Sequence, residues 1–190
     1  MAHHESTITL ASERVATPTG PMLLLTDEAA RVRALDWEDH IDRLHRFLRL
    51  HYGSDGITVV EGSGRSAARQ ALDDYFDGDV AAIDRLDVRT AGTAFQRNVW
   101  AALRTIKAGT TISYGELALA IGRPNAVRAV GLANGSNPIG IIVPCHRVIG
   151  ANRSLTGYGG GLPRKRWLLE HEGALPPQPP VHQAATGSLA

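Results

Sequence analysis

The sequence predicts an α+β fold in two parts: a small mixed unit over residues 1–86 and a mostly helical unit over residues 93–173. Three observations carry this. Short apolar runs punctuated by Gly and Pro fill the first sixty residues, the pattern of strands joined by turns. From Thr93 onward apolar residues recur at helical spacing. The 190 residues, 43% hydrophobic and 21% charged, suffice for one large domain or two small ones around a buried core.

In the first unit, Arg14–Leu25 has turn residues Pro18, Gly20 and Pro21 between apolar ends and predicts two strands around a turn. Val32–Trp37 predicts a further strand. Residues 38–51 predict a helix with Ile41, Leu44, His45 and Leu48 on one face. Gly53, Gly56, Gly62 and Gly64 mark loops around a short strand at Ile57–Val60. Ser66–Phe76 predicts a second helix, ended by Asp77-Gly78. Residues 79–93 hold no strong period, and 87–92 serve as the connector.

In the second unit, Phe95, Val99, Ala102, Leu103 and Ile106 share a helical face that stops at Gly109. Ser113 and Glu116 form a capping box for a short helix carrying Tyr114, Leu117, Ala118 and Ile121. Arg123-Pro124 leads to another helix over about Asn125–Ala133, ended by Asn134-Gly135. The two short helices make a helix-turn-helix candidate. Ile139–Val143 predicts a buried extended segment that ends at Pro144. Gly157–Gly161 is glycine-rich around Tyr158, and Pro163 opens a last helix, Arg164–Glu172, closed by Gly173. Residues 174–190 carry four Pro and no charged side chain, which predicts a disordered tail.

Composition excludes several classes. No apolar run approaches the roughly 20 residues needed to span a bilayer. The N-terminus lacks the basic and apolar pattern of a secretion signal, so a cytoplasmic location is expected. A single cysteine, Cys145, excludes an intramolecular disulfide and a multi-cysteine zinc site. The net charge of +1 hides a segregation: residues 1–92 hold 10 Arg against 16 Asp and Glu, whereas 93–173 hold 8 Arg and 2 Lys against 3 Glu. Charge alone leaves open a nucleic-acid surface and a solvated basic face.

The thiol sits in Pro144-Cys145-His146-Arg147-Val148. A lone cysteine is often a small buried hydrophobe. Here an apolar run and a Pro deliver it, and a His and an Arg follow, both able to lower a thiol pKa. In an extended segment adjacent side chains point apart, so a water is the easier link between Cys145 and His146. A third group should then orient the imidazole. The acids available in the basic unit are Glu116, already used in the capping box, Glu170 and Glu172.

The five residues Pro144–Val148 resemble the active-site motif of the O6-alkylguanine-DNA alkyltransferases, the methylated-DNA–protein-cysteine methyltransferases. Phe95-Gln96, Val99-Trp100, Ser113-Tyr114-Gly115, Arg128-Ala129-Val130-Gly131, Asn137-Pro138, Gly157-Tyr158 and Trp167-Leu168-Leu169 with His171-Glu172-Gly173 fall in that family's order and spacing. The resemblance is close over 93–173 and looser over 10–92, where Ala16–Pro21 and Asp74–Gly78 fit the stand-alone bacterial type.

The resemblance implies a ribonuclease-H-like α/β roll followed by a winged-helix-like domain. It implies a suicidal transfer of the alkyl group from O6-alkylguanine, and also O4-alkylthymine, in duplex DNA to Cys145. His146 would deprotonate the thiol through a water, Glu172 would hold His146, and Tyr114 would protonate the leaving guanine. Asn137 would tie down the pocket wall. The base must leave the stack to be reached. Arg128 would fill the gap from a helix docked in the minor groove, with Gln96, Gly115, Arg123, Ala129 and Ala151 also meeting DNA. Pro144, Val148, Tyr158, Gly159 and Gly160 would form the pocket and its lid. Many relatives carry Ser at the position of Gly159, and a more flexible glycine lid would accept bulkier alkyl groups. No cofactor, metal or membrane is implied, and His3, His4, His40, His45 and His51 are read as tail or helix-surface residues. The expected state is a monomer, cooperative on DNA. Two other readings are a non-catalytic alkylated-DNA recognition protein, which Cys145 argues against, and a Cys-His hydrolase acting on acyl substrates.

Overall fold

A computed structural model describes residues 7–53 and 55–177. Its four-stranded sheet has the order β3-β2-β1-β4, where β1 is Ile8–Val15, β2 Met22–Asp27, β3 Val32–Trp37 and β4 Ile57–Glu61. The first three strands are antiparallel neighbours, and β4 runs parallel to β1. The first strand starts at Ile8, earlier than its sequence pattern suggests, because Ile8–Ser12 pairs with β4.

Alternation along β2 splits its side chains between two faces. Leu23 and Leu25 join α1 (Ile41–Tyr52) through Leu44 and Leu48, while Met22 and Leu24 face α2 (Ala67–Phe76) and the rest of the core. A register shift at Leu25/Thr26 lets Val32 share the face of Leu35 and Trp37 despite the wrong parity. On α1 the residue that completes the apolar face is Phe47; His45 is exposed. A 3₁₀ turn over Glu38–His40 precedes this helix, and another over Ala82–Arg85 follows α2.

The helices of the second half are α3 (Ala94–Leu103), α4 (Tyr114–Ala120), α5 (Val127–Gly135) and α6 (Leu162–His171). Thr93 with Gln96, and Ser113 with Glu116, close full capping boxes. The α5 helix begins two residues later than predicted and runs through Asn134-Gly135 to a cap at Ser136. Neither residue takes up a left-handed conformation, so the expected stop there has no basis. Ile112–Ser113 (β5) pairs in parallel with Val148–Ile149 (β6), a two-residue ladder that the sequence pattern does not announce.

Ile139–Val143 is buried as predicted but not extended. Its chain turns, with Ile142 N donating to Gly140 O, Val143 N donating to Ile139 O, and Ile141 at φ +68. The free edge of β3 anchors both this segment and the connector. Leu35 N donates to Pro138 O and Gly140 N to Leu35 O, while Val32 N donates to Asp87 O and Arg89 N to Val32 O. One apolar cluster therefore runs from Val15, Leu24 and Leu72 through Val99 and Trp100 to Val143 and Leu168. No helix among the described residues is long and apolar enough to cross a membrane. Most of the predicted tail, 178–190, and His3 and His4 lie outside the described residues. Ala174 and Leu175, assigned to that tail, instead donate their N–H groups to Leu169 O at the end of α6.

Because that cluster is continuous, Trp37 and Trp100 should report one shared urea transition by fluorescence. Leu72→Ala should lower it by about 2–5 kcal/mol at both probes. Two separate transitions would contradict the continuity.

Candidate active site

Cys145, His146 and Arg147 occupy one 3₁₀ turn, and all three are buried. The loop before them is clamped by Asn137. Its Nδ2 donates to Val143 O at 2.7 Å and to Cys145 Sγ at 3.1 Å, and its Oδ1 accepts from Ile139 N at 3.0 Å. The two amide protons are thus directed at the loop carbonyl and the sulfur. Asn134, on the last turn of α5, adds a contact to Cys145 O at 3.4 Å. Val148 is buried beside the turn and pairs with Ile112, which fixes α4 and Tyr114 relative to the thiol.

Glu172, the C-cap of α6, sits at the centre of a buried ionic cluster. Arg147 reaches it with a fork, Nε to Oε2 and Nη2 to Oε1, both at 2.8 Å, while Nη1 donates to Ile106 O. Tyr75 Oη donates to Oε1 at 2.9 Å, and His146 Nε2 lies 2.9 Å from the same oxygen. Burial alone would raise the Glu172 carboxyl, but His146 and Arg147 together hold it well below the usual carboxylate range. Burial lowers the His146 imidazole, and the opposing pull of Glu172 does not offset this. The arrangement is a carboxylate neutralised by Arg147 and a neutral imidazole that donates Nε2–H to it. Nδ1, the remaining acceptor, is buried without a protein partner among the described residues.

Arg147 therefore does not serve Cys145, as its place in the motif suggested; its charge is committed to Glu172. The cations that act on the thiol are Arg43, from α1, and Lys165, from α6. Burial pushes the thiol up; the Asn137 amide and these two charges oppose it. Lys165 Nζ donates to Val148 O at 2.6 Å and to Thr156 O at 2.7 Å. Burial brings its pKa down to about 8.

Tyr114 opens α4, half-buried, with its hydroxyl 3.3 Å from Gly157 O and its ring against Gly131. Burial raises the phenol, and so does the nearby Cys145. Tyr158, Gly159 and Gly160 pass over the turn that carries Cys145. The Tyr158 ring meets Trp37 edge-on at 6.0 Å and His146 at 6.4 Å. Arg164 secures Gly160 O and stacks on Trp37 at 4.8 Å.

Gly115, Arg123, Arg128, Ala129 and Ala151 are all exposed, on α4, the turn between α4 and α5, α5 itself and the turn after β6. Leu132 joins Arg128 and Ala129 on the open side of α5, 72% exposed. Gln96 is half-buried and already engaged: Oε1 accepts from Thr93 N and Nε2 donates to Ser136 Oγ. Pro144 is buried at the start of the turn. Among the described residues no three His, Cys, Asp or Glu side chains group to hold a metal ion.

Sequence reasoning missed Tyr75, Asn134, Lys165 and Arg43. Tyr75 meets Glu172 across 97 positions, so no local signal could reveal it. A polar side chain in an apolar helical stretch is the signal that was available for Asn134; Lys165 stands between Arg164 and Arg166 and carries no such mark.

A buried thiol followed in the same turn by an imidazole that a carboxylate holds from the end of α6 has the makings of a cysteine-nucleophile site. The family described as 6-O-methylguanine DNA methyltransferase, DNA binding domain, matches residues 94–174. The chain is 52% identical over 166 residues to the methylated-DNA–protein-cysteine methyltransferase of Salmonella typhimurium, across 87% of this chain and 97% of that one. It is 62% identical over 108 residues to that of Mycobacterium tuberculosis, across 56% of this chain and 64% of that one. The crystal structure of Mycobacterium tuberculosis O6-methylguanine methyltransferase matches with a TM-score of 0.69 at 42% identity, covering 88% of this chain and 95% of that one. The Mycobacterium tuberculosis OGT in complex with DNA matches with a TM-score of 0.68 at 42% identity, covering 87% and 93%. The chain belongs to the O6-methylguanine-DNA methyltransferase family.

Glu172→Gln should destabilise the fold by about 3–5 kcal/mol in urea titrations, because Arg147 would stay buried without its counter-charge. Glu172 and His146 are both shifted down from their ordinary 4.5 and 6.5, so the unfolded chain binds more protons. The stability they contribute is fully present above those values and is lost progressively as pH falls below them toward the lowered values of the folded chain. An unfolding free energy that stays flat from neutral pH into the carboxylate range would contradict this.

Proposed function

We propose that this chain repairs duplex DNA by taking the alkyl group of O6-alkylguanine onto Cys145, once per molecule. The observation that carries this reading is the clamped, buried Cys145 sulfur beside a neutral His146 held by Glu172. His146 Nδ1 removes the thiol proton through a water. The thiolate attacks the alkyl carbon; the S–C bond forms, the C–O6 bond breaks, and its electron pair passes to the guanine. Tyr114, protonated because burial raises its phenol, supplies a proton to the ring. Solvent then returns the imidazolium and the phenolate to neutral. The thioether has no second thiol to resolve it, since Cys145 is the only cysteine.

The nucleotide reaches this buried sulfur by leaving the stack, at a cost of a few kcal/mol. Arg128 enters the space vacated, from an α5 docked in the minor groove with Ala129 as a small neighbour. Gln96, Gly115, Arg123 and Ala151 contact the backbone around it, and Pro144, Val148, Tyr158, Gly159 and Gly160 enclose the base. We read residues 1–86 as a ribonuclease-H-like bracing unit, 87–92 as the connector, and 93–173 as a winged-helix-like DNA-binding unit whose helix-turn-helix is α4–α5. The protein acts as a cytoplasmic monomer, binds DNA cooperatively and also accepts O4-alkylthymine.

Incubation with a duplex containing O6-methylguanine should add one methylene unit to the intact mass, mapped to residue 145. Cys145→Ala should bind the duplex and gain nothing; transfer by that variant would overturn the assignment. Arg128→Ala should slow transfer from duplex far more than from free O6-methylguanine, and equal losses would remove its role in the stack. Duplex affinity should fall steeply with salt as phosphate contacts release counterions.

A further inference from the structure

The polar and charged groups around Cys145 are its neighbour His146, Asn137, Asn134 from α5, Arg43 from α1, Lys165 from α6, Tyr114 from α4 and Tyr158 from the glycine-rich segment. All but one belong to the half of the chain that carries the nucleophile. The exception is Arg43, about a hundred residues earlier in a helix with no recognisable motif.

Its guanidinium is fixed from two sides. Asp36, near the end of β3, accepts from Nε at 2.9 Å and from Nη2 at 2.5 Å. This fork sets the plane of the group. The opposite side rests on Gly159. A Cβ built there would lie 1.5 Å from Arg43 Nη1 and 2.7 Å from its Cζ. Nη1, the terminal nitrogen that Asp36 does not engage, thus occupies the space that a side chain at 159 would take. Gly159 does not take up a positive φ, so its backbone would suit any residue. What requires glycine is room for the guanidinium rather than freedom of the chain.

The charge placed there acts on both Cys145 and Tyr158. Lys165 is the other cation on the sulfur, but it releases its proton near pH 8. A guanidinium keeps its charge at any working pH. We propose that Arg43 is a positioning residue for alkyl transfer: anchored by Asp36 and seated in the space Gly159 leaves, it holds a permanent positive charge beside Cys145 and favours the thiolate. The proposal rests on Cys145 being the acceptor. It leaves the bonds made and broken unchanged.

The test is the pH dependence of Cys145 alkylation, read by intact mass, with two probes. One is duplex DNA containing O6-methylguanine. The other is iodoacetamide, which forms the S–C bond with loss of iodide and needs no DNA. Arg43→Ala should move the rising limb of both profiles up by about one pH unit, slowing alkylation about tenfold near neutrality while the high-pH plateau is kept. Arg43→Lys should restore most of the rate. Gly159→Ser, which leaves every charge in the chain, should displace the guanidinium and reproduce the shift. Combining Gly159→Ser with Arg43→Ala should add nothing further. Equal slowing at every pH in Arg43→Ala, or a Gly159→Ser profile like that of the unmodified protein, would overturn the proposal. If Arg43→Ala does not fold, the Lys and Ser variants decide the matter alone. If the unmodified protein takes no methyl group from DNA while its iodoacetamide profile still shifts on Arg43→Ala, the alkyl-acceptor reading fails and the effect of Arg43 stands.

Discussion

The site depends on one buried carboxylate being neutralised by the right partner. Glu172 faces both a guanidinium and an imidazole, and it can form a full ion pair with only one of them at low cost. The bidentate fork from Arg147 takes that place. His146 is then left neutral, with Nε2–H donated to the carboxylate and a free lone pair on Nδ1. Were Arg147 absent, the carboxylate would favour the protonated imidazole, since Glu172 raises the His146 pKa and Arg147 lowers it. Arg147 thus adds to the effect of burial on His146, next to it in sequence but acting through a group 25 residues away.

Beside the Asn137 side chain and α6, backbone pairing of modest extent delivers these groups. The β5–β6 ladder of two residues locks Tyr114 to the segment leaving Cys145. The edge of β3 holds the segment entering it through Leu35. The N-terminal sheet is thus more than a brace. Its free edge registers the loop that carries Cys145, and through Asp36 it fixes the Arg43 guanidinium beside Gly159. A mutation in the first fifty residues can in this way reach the sulfur without touching α4 or α5.

Much of the fold was legible in the sequence where a local rule decides the structure. Ser66, Thr93 and Ser113 mark helix starts because a hydroxyl satisfies the first free N–H groups, and all three do so in the structure. Asn137, Cys145, His146 and Glu172 lie together, the set that the family resemblance pointed to. What was not legible is contact made across the chain. The turn at Ile139–Val143 reads as an apolar run, and its bend comes from hydrogen bonds to β3 and Asn137 rather than from turn residues. Tyr75 and Arg43 lie on helices whose patterns record only which face is buried. Gly159 reads as lid flexibility from sequence alone, and only the position of Arg43 supplies another reason for it.

The central claim, a neutral Nε2–H imidazole at His146, is tested most directly by nitrogen-15 NMR of histidine-labelled protein. His146 should carry its proton on Nε2 alone around neutral pH and take a second proton only below the ordinary histidine range. A doubly protonated ring at neutral pH, or a proton resident on Nδ1, would contradict it.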